Sequence, residues 1–316
     1  MTRDALVAVG AGLLSAVMAM TFLGGLPAAL LLVYLAPLPL VLSGLAMGPR
    51  ASVISVVAGF FGIGLFGGVV SAGIFGLVHA LPAWTATRLA LLQSTTAGAD
   101  GSAVTDWYPP GPVIGALACL GASLVLVAAI MAAGPGLQEL VSTHLDQVFA
   151  VMAPMMDEGQ RQQVIALLAP LFPGIAAASW VVMAAVNTTL AQGLLVRMGR
   201  NMRPSPTYAA FELPQWTSLP LVAAATLAFL GTGGMEYIGR NLALVLAVPY
   251  FFLGLAIVHS ATRRMALAWL LLAMFYFVIV LSGWAVLVVA GIGLFEQWIG
   301  LRDRFALGGG APPDDD

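Results

Sequence analysis

The chain contains no lysine, and all 12 of its basic side chains are arginine. Charged residues of either sign fill only 8% of 316 positions, against roughly a quarter in a soluble domain. So little charge cannot cover a water-facing surface, which excludes a soluble globular protein. The 60% hydrophobic composition excludes intrinsic disorder, which requires low hydrophobicity and high net charge. A formal net charge of −2 leaves no strongly basic face for nucleic acid. Cys119 is the only cysteine, so neither an intramolecular disulfide framework nor a cysteine-based metal cluster can form. The three histidines, His79, His144 and His259, fall on different segments, and no metal or cofactor site is expected. HExxH, GxSxG and P-loop patterns are missing, as is any acidic pair at fixed spacing within an apolar run. The chain is therefore not read as an enzyme, and no catalytic residue is assigned.

What the sequence has in abundance is long apolar runs, with a mean hydropathy of +0.99. About 20 apolar residues in a helix span a bilayer core about 30 Å thick, and runs of that size recur throughout. They are Ala5–Leu23, Pro27–Met47, Ala51–Phe66, Val69–Leu91, Val113–Ala133, Gly174–Val196, Leu219–Leu230, Leu242–His259 and Met265–Phe295. Gly67-Gly68 divides the third from the fourth. The reading is an all-α polytopic transmembrane bundle, a single membrane domain over 1–316 with nine spans. A break at Ser282-Gly283 would make the last run a hairpin and the count ten. The first run has no cleavage site leading into a polar mature sequence, so it is read as a retained helix rather than a signal peptide.

Arginine placement orients the bundle. With the N-terminus in the cytoplasm, Arg3, Arg50, Arg88, Arg197, Arg200, Arg203, Arg263 and Arg264 lie inside, and Arg161 and Arg240 outside. Arg302 and Arg304 change sides with the span count. Residues 93–112 then form a cytoplasmic loop rich in Gly, Ser and Thr, ending in Asp106-Trp107-Tyr108, an interfacial aromatic cluster. Residues 137–172 form an outer segment. Its first half is amphipathic: Leu137, Leu140, Val141, Leu145, Val148 and Met152 recur at helical spacing, with Glu139, Asp146 and Gln147 between them. Pro154 ends that helix, and Asp157 is the expected N-cap of a second. Residues 305–316 are expected to be a disordered tail.

Three features within the spans could carry function. Asn187 lies inside the sixth run, where an unpaired amide is costly. It either makes an interhelical hydrogen bond or lines a polar pocket for a small neutral or zwitterionic solute, with Trp180 seven residues earlier and Gln192 nearby. Small residues at Ala8, Gly12 and Ala16, with a second row at Ala11, Ser15 and Ala19, allow close helix approach, either within the chain or as a docking face for a partner. Arg197, Arg200 and Arg203 read as an anchor among anionic headgroups.

Pro37-Leu38-Pro39-Leu40, continuing through Ser43 to Met47, the turn Gly48-Pro49, and then Gly59, Gly62 and Gly64 resemble the early helices of S components, the substrate-binding subunits of energy-coupling-factor transporters. The row Ala8, Gly12, Ala16 resembles the AxxxA row by which their first helix docks the transport module, with Gly in the middle here. Over its full length the chain resembles the uncharacterised YybS-like family of bacterial multi-pass proteins. It shares four N-terminal helices, Trp107-Tyr108-Pro109 before the fifth, a long amphipathic outer loop, an Asn-bearing sixth helix and the run Gly293–Arg302. These resemblances imply an S-component-like N-terminal half in a bacterial cytoplasmic (inner) membrane. Two functions follow as expectations: solute binding or transport, with a transport module as partner, or a non-transporting scaffold for a cell-envelope or other complex.

Overall fold

The computed structural model describes residues 2–21, 27–97, 103–132, 136–207, 211–263 and 265–300. The tail 305–316, Arg264, Arg302 and Arg304 lie outside them. The structure is nearly all helical and forms two compact units. Unit 1 comprises Met1–Gly121 with Ala176–Pro206, and unit 2 comprises Ala122–Ile175 with Thr207–Asp316.

Unit 1 is built on glycine and serine contacts. Helix α1 (Arg3–Met20) lies along α4 (Pro49–Phe75), with Gly12 against the backbone of Ser55 and Gly59, and Ala16 beside Gly62. Contacts advance along both helices together, so α1 and the first arm of α4 run in the same direction. The chain returns between them through α2 (Pro27–Tyr34) and α3 (Pro37–Met47). Ser15 donates to the carbonyl of Ala36 at the break between these two, at 2.6 Å. Ser43 Oγ sits 2.9 Å from Ser55 Oγ. At Gly68 the backbone takes φ 78°, a conformation for which glycine is suited, and α4 folds back. Phe75 then covers Gly59 and Phe60 covers Gly76. A five-residue π-helical turn, Gly76–Ala80, leads into α5 (Leu81–Ala90).

The segment read as a loop, 93–112, holds a β-hairpin of β1 (Gln93–Ala97) and β2 (Ala103–Trp107), with Gln93 opposite Trp107. Helical periodicity gives no signal for it. Thr95, Thr96, Val104 and Thr105 supply the β-branched residues that favour strands. Helix α6 (Pro110–Met131) follows.

In unit 2, α7 (Leu137–Met152) and α8 (Glu158–Leu168) match the amphipathic reading. Leu145 packs on Ile165 and Ala169. Asp157 caps α8 by accepting from the Gln160 amide at 2.9 Å, and Arg161 pairs with Asp146 at 2.7 Å. After α9 (Phe172–Arg197) come α10 (Ser218–Leu230), α11 (Gly234–Thr262), α12 (Ala268–Leu281) and α13 (Gly283–Ile299). Glycines again set the spacing: Gly239 lies on Leu227 and Ala228, Gly254 on Val289, and Gly293 on Tyr250.

Among the described residues, six helical stretches are long and apolar enough to cross a membrane, or seven if α12 and α13 count as one. This count does not confirm the sequence reading of nine, because bent and short helices do not enter it as separate spans. Pro49–Ala90, one stretch of 42 residues, would be about 63 Å long if straight, but it turns at Gly68 into two arms. Helices α12 and α13 meet at a 119° bend, at the Ser282-Gly283 position where the sequence allows a hairpin, and each alone is short. Helix α10 is shorter still.

The glycine contacts generate a prediction. Gly293→Leu drives a side chain into the Tyr250 backbone, an overpacking expected to cost at least about 1–3 kcal/mol. Gly291→Leu, where no atom lies within 4 Å, should be near neutral. Thermal denaturation in one detergent compares them, and equal Tm values would refute the packing.

Candidate functional site

The polar residues of α9 fall within unit 1. Trp180 is buried, and its indole N–H donates to the carbonyls of Leu77 and Val78 at 3.2 and 3.0 Å. The reason lies in Pro82. Proline brings no N–H, so the carbonyls one turn earlier lose a donor, and the helix widens into the π turn. Trp180 supplies the missing donor from another helix. Within that turn His79 is buried, its Nδ1 has no partner among the described residues, and its ring stacks at a tilt on Phe75, 5.6 Å between centroids.

Asn187 is 0% exposed. Its amide nitrogen donates to Tyr34 O at 2.9 Å and to Met183 O at 2.8 Å, one bond to α2 and one to its own helix. Its Oδ1 is buried without a partner among the described residues. Gln192 donates to the carbonyl of Arg203 at 2.9 Å. The three candidate solute ligands therefore share one helix, and each directs its N–H to a backbone carbonyl.

Arg203 departs from its expected place. With Arg197 and Arg200 it reads as a headgroup anchor, and those two are exposed, but Arg203 is only 7% exposed. Its Nη1 donates to Ala90 O at 2.7 Å and to Tyr108 O at 3.3 Å, and its guanidinium lies 5.9 Å from the Trp107 ring centroid. Asn201 and Gln192 both donate to its carbonyl. Burial pulls the guanidinium below its ordinary proton affinity, yet an arginine stays charged because it starts so high. One side chain thus joins the end of α5, the close of the β-hairpin and the lead-in to α6. The interfacial reading of Trp107 and Tyr108 misses this role, because nothing in local spacing shows a loop arginine folding inward.

The small-residue row is also placed. Ala8, Gly12 and Ala16 are buried, with Ser55, Ala58 and Gly59 against Gly12. The chain's own α4 occupies this face, so it packs within the chain and is not an open docking surface.

Unit 2 carries a second buried amide that sequence reading missed. Asn241 accepts from the Gly174 amide at 2.7 Å and donates to Pro170 O at 3.0 Å and Tyr237 O at 2.8 Å. Tyr237 donates to Ala169 O at 2.9 Å. Asn241 stands one residue before the apolar run that begins at Leu242, so run length alone leaves it outside the span. Glu296, at the end of the last run, is buried as well. Two surface grooves are apolar. One of about 270 Å³ lies in unit 1 between Val56, Phe60, Phe61, Ala80 and Trp84, and one of about 370 Å³ lies in unit 2 among Leu221, Phe229, Leu294 and Trp298. Neither is lined by Asn187, Trp180 or Gln192. No group of three or more metal-ligating side chains occurs among the described residues.

Trp180→Phe should destabilise the protein by about 0.6 kcal/mol, the average for interhelical polar contacts in membranes. In a Pro82→Ala background, which restores an N–H, the same change should cost clearly less. A double-mutant cycle measures this, and equal costs in both backgrounds would sever the link between the proline and the indole. Arg203→Met should leave the helices formed but loosen the hairpin. Hydrogen exchange at Gln93–Trp107 should then rise severalfold, and unchanged protection would show that Arg203 does not hold it.

No curated protein and no solved structure shows a significant match to the chain. A family model described as predicted membrane protein (DUF2232) matches residues 105–296, more than half of its length and including Asn187, Arg203 and Asn241. With its apolar helices, this makes the chain an integral membrane protein that belongs to the DUF2232 family.

Proposed function

We propose that this protein is a packed, non-transporting scaffold in a bacterial inner membrane, presenting its loops to a partner complex. The observation that carries the reading is the use of its intramembrane polar groups. Trp180, Asn187 and Gln192 all direct their donors to backbone carbonyls of unit 1 itself. That is how helices are fixed to one another in lipid, and it leaves these N–H groups unavailable to a solute. The covered row Ala8, Gly12, Ala16 supports the same reading, since a transport module docking there would need an open face.

The proposed topology has nine or ten crossings with the N-terminus in the cytoplasm. The arginine bias supports it, as do two pairs of helices running in the same direction. One is α1 with the first arm of α4. The other is the second arm with α9, where Trp180 meets Leu77 and Val78 and, twelve residues on, Gln192 is joined through Arg203 to Ala90. Each pair requires an odd number of crossings between its members. The β-hairpin is then cytoplasmic and α7–α8 lie on the outer face.

A photo-crosslinker at Thr95, exposed on β1, tests the scaffold in native membranes. The expected result is one discrete adduct with a second protein, lost when Gln93–Trp107 is replaced by a Gly-Ser linker.

A second reading, solute binding, is favoured by the buried, partnerless Oδ1 of Asn187, an acceptor whose orientation is fixed by two hydrogen bonds. Asn187→Leu separates the two. In a scaffold it changes stability modestly, by about 0.6 kcal/mol, and nothing else. A solute that raises the Tm of the parent saturably, but not that of the folded variant, would overturn the scaffold reading.

A further inference from the structure

One end of unit 1 carries an uncompensated charge. Arg203 is 7% exposed, yet no carboxylate among the described residues lies within ion-pair distance of it. Carbonyl dipoles at Ala90 and Tyr108 receive Nη1, while its buried Nε–H has no acceptor among the described residues. A buried cation with an unused donor calls for an explanation, and a bound anion is a standard one.

The surroundings have the same sign. Met202 lies beside the Gly48 turn, which places Arg50, the second residue of α4, at this end. Arg88 lies in the last turn of α5, and Arg197 and Arg200 lie at and just beyond the end of α9. All four are exposed. Because α1 runs alongside the first arm of α4, Arg3 reaches the same level. Against these six arginines the described residues at this end offer Asp4 and Asp106, and the Asp106 carboxylate accepts from Thr96 at 3.2 Å. The cations are arginine throughout, whose planar fork matches phosphate oxygens in pairs where a lysine offers only a point charge. The ends of helices apolar enough to cross a bilayer lie here, at the depth where phosphate headgroups are found.

We propose that this end of unit 1 is a binding site for the phosphate of an anionic phospholipid headgroup, held by Arg197 and Arg200 at the rim with Arg203 beneath. The site is independent of the scaffold reading, because a seated headgroup is compatible with either function.

The test uses the full chain in nanodiscs of phosphatidylcholine, with and without phosphatidylglycerol, and native mass spectrometry to count retained lipid. Phosphatidylglycerol should be retained preferentially and should raise the Tm. Arg197→Gln and Arg200→Gln are both at exposed positions and should keep the Tm measured in pure phosphatidylcholine. Each should weaken phosphatidylglycerol retention about fivefold. Arg203→Gln should abolish the preference. If that variant fails to fold, the two rim variants decide the matter alone. Equal retention of both lipids by the parent, or an undiminished preference in the rim variants, would overturn the proposal. So would inorganic phosphate in phosphatidylcholine discs reproducing the full Tm rise, since the ligand would then be a free ion and not a headgroup.

Discussion

Lipid supplies no hydrogen bonds, so every backbone carbonyl and amide in this chain needs a partner from the protein itself. The prolines make that requirement acute. Pro82 removes a donor from the middle of a long apolar stretch, and Trp180 on α9 makes it good. Pro170 and Pro173 interrupt the approach to α9, and Asn241 bonds the freed groups on both sides, accepting from Gly174 and donating to Pro170. The end of α5 leaves the carbonyl of Ala90 to Arg203. Polar side chains in this protein are placed where the backbone would otherwise be unpaired, and each such repair also fastens one helix or segment to another.

Glycine and serine perform the complementary task. Lipid tails are as apolar as leucine, so burial alone gives helices little reason to associate, and close contact must supply the attraction. Gly12 on Ser55 and Gly59, Gly254 on Val289 and Gly293 on Tyr250 bring backbones to distances that any side chain would prevent. This arrangement leaves large apolar residues such as Phe61, Leu65 and Phe66 facing outward, the inverse of a soluble core and the pattern expected of lipid-facing helices.

Much of the helical layout was legible in the sequence. Run length located the long apolar helices, the glycine pair located the turn at Gly68, and period 3.6 with Asp157 located α7 and α8. What stayed hidden depends on contacts between distant positions. Arg203 carries the same local signature as Arg197 and Arg200, and only the fold separates a buried charge from two exposed ones. Asn241 sits at a run boundary, where hydropathy gives no weight to a single amide. The partners of Asn187 and Trp180 are carbonyls of Tyr34, Leu77 and Val78, which have no side-chain identity to read. The β-hairpin leaves no signal of helical period, and its short strands are almost wholly exposed, so no apolar face marks them. Pro82 was a usable signal: a proline inside an apolar run announces an orphaned carbonyl, and a tryptophan or asparagine elsewhere is a reasonable place to look for its donor.

The shared direction of the second arm of α4 and α9 has an electrostatic consequence. Peptide dipoles align along a helix and leave about half a negative charge at its carboxyl end. Two such ends, joined by that of α3, gather at one face of unit 1, and that face holds Arg88, Arg197, Arg200 and Arg203. The amino ends of α1 and α4 lie at the same face and carry the opposite partial charge, so the dipoles partly cancel and the arginines set its sign. The field above this face is therefore that of the arginine side chains, which salt screens within about 10 Å.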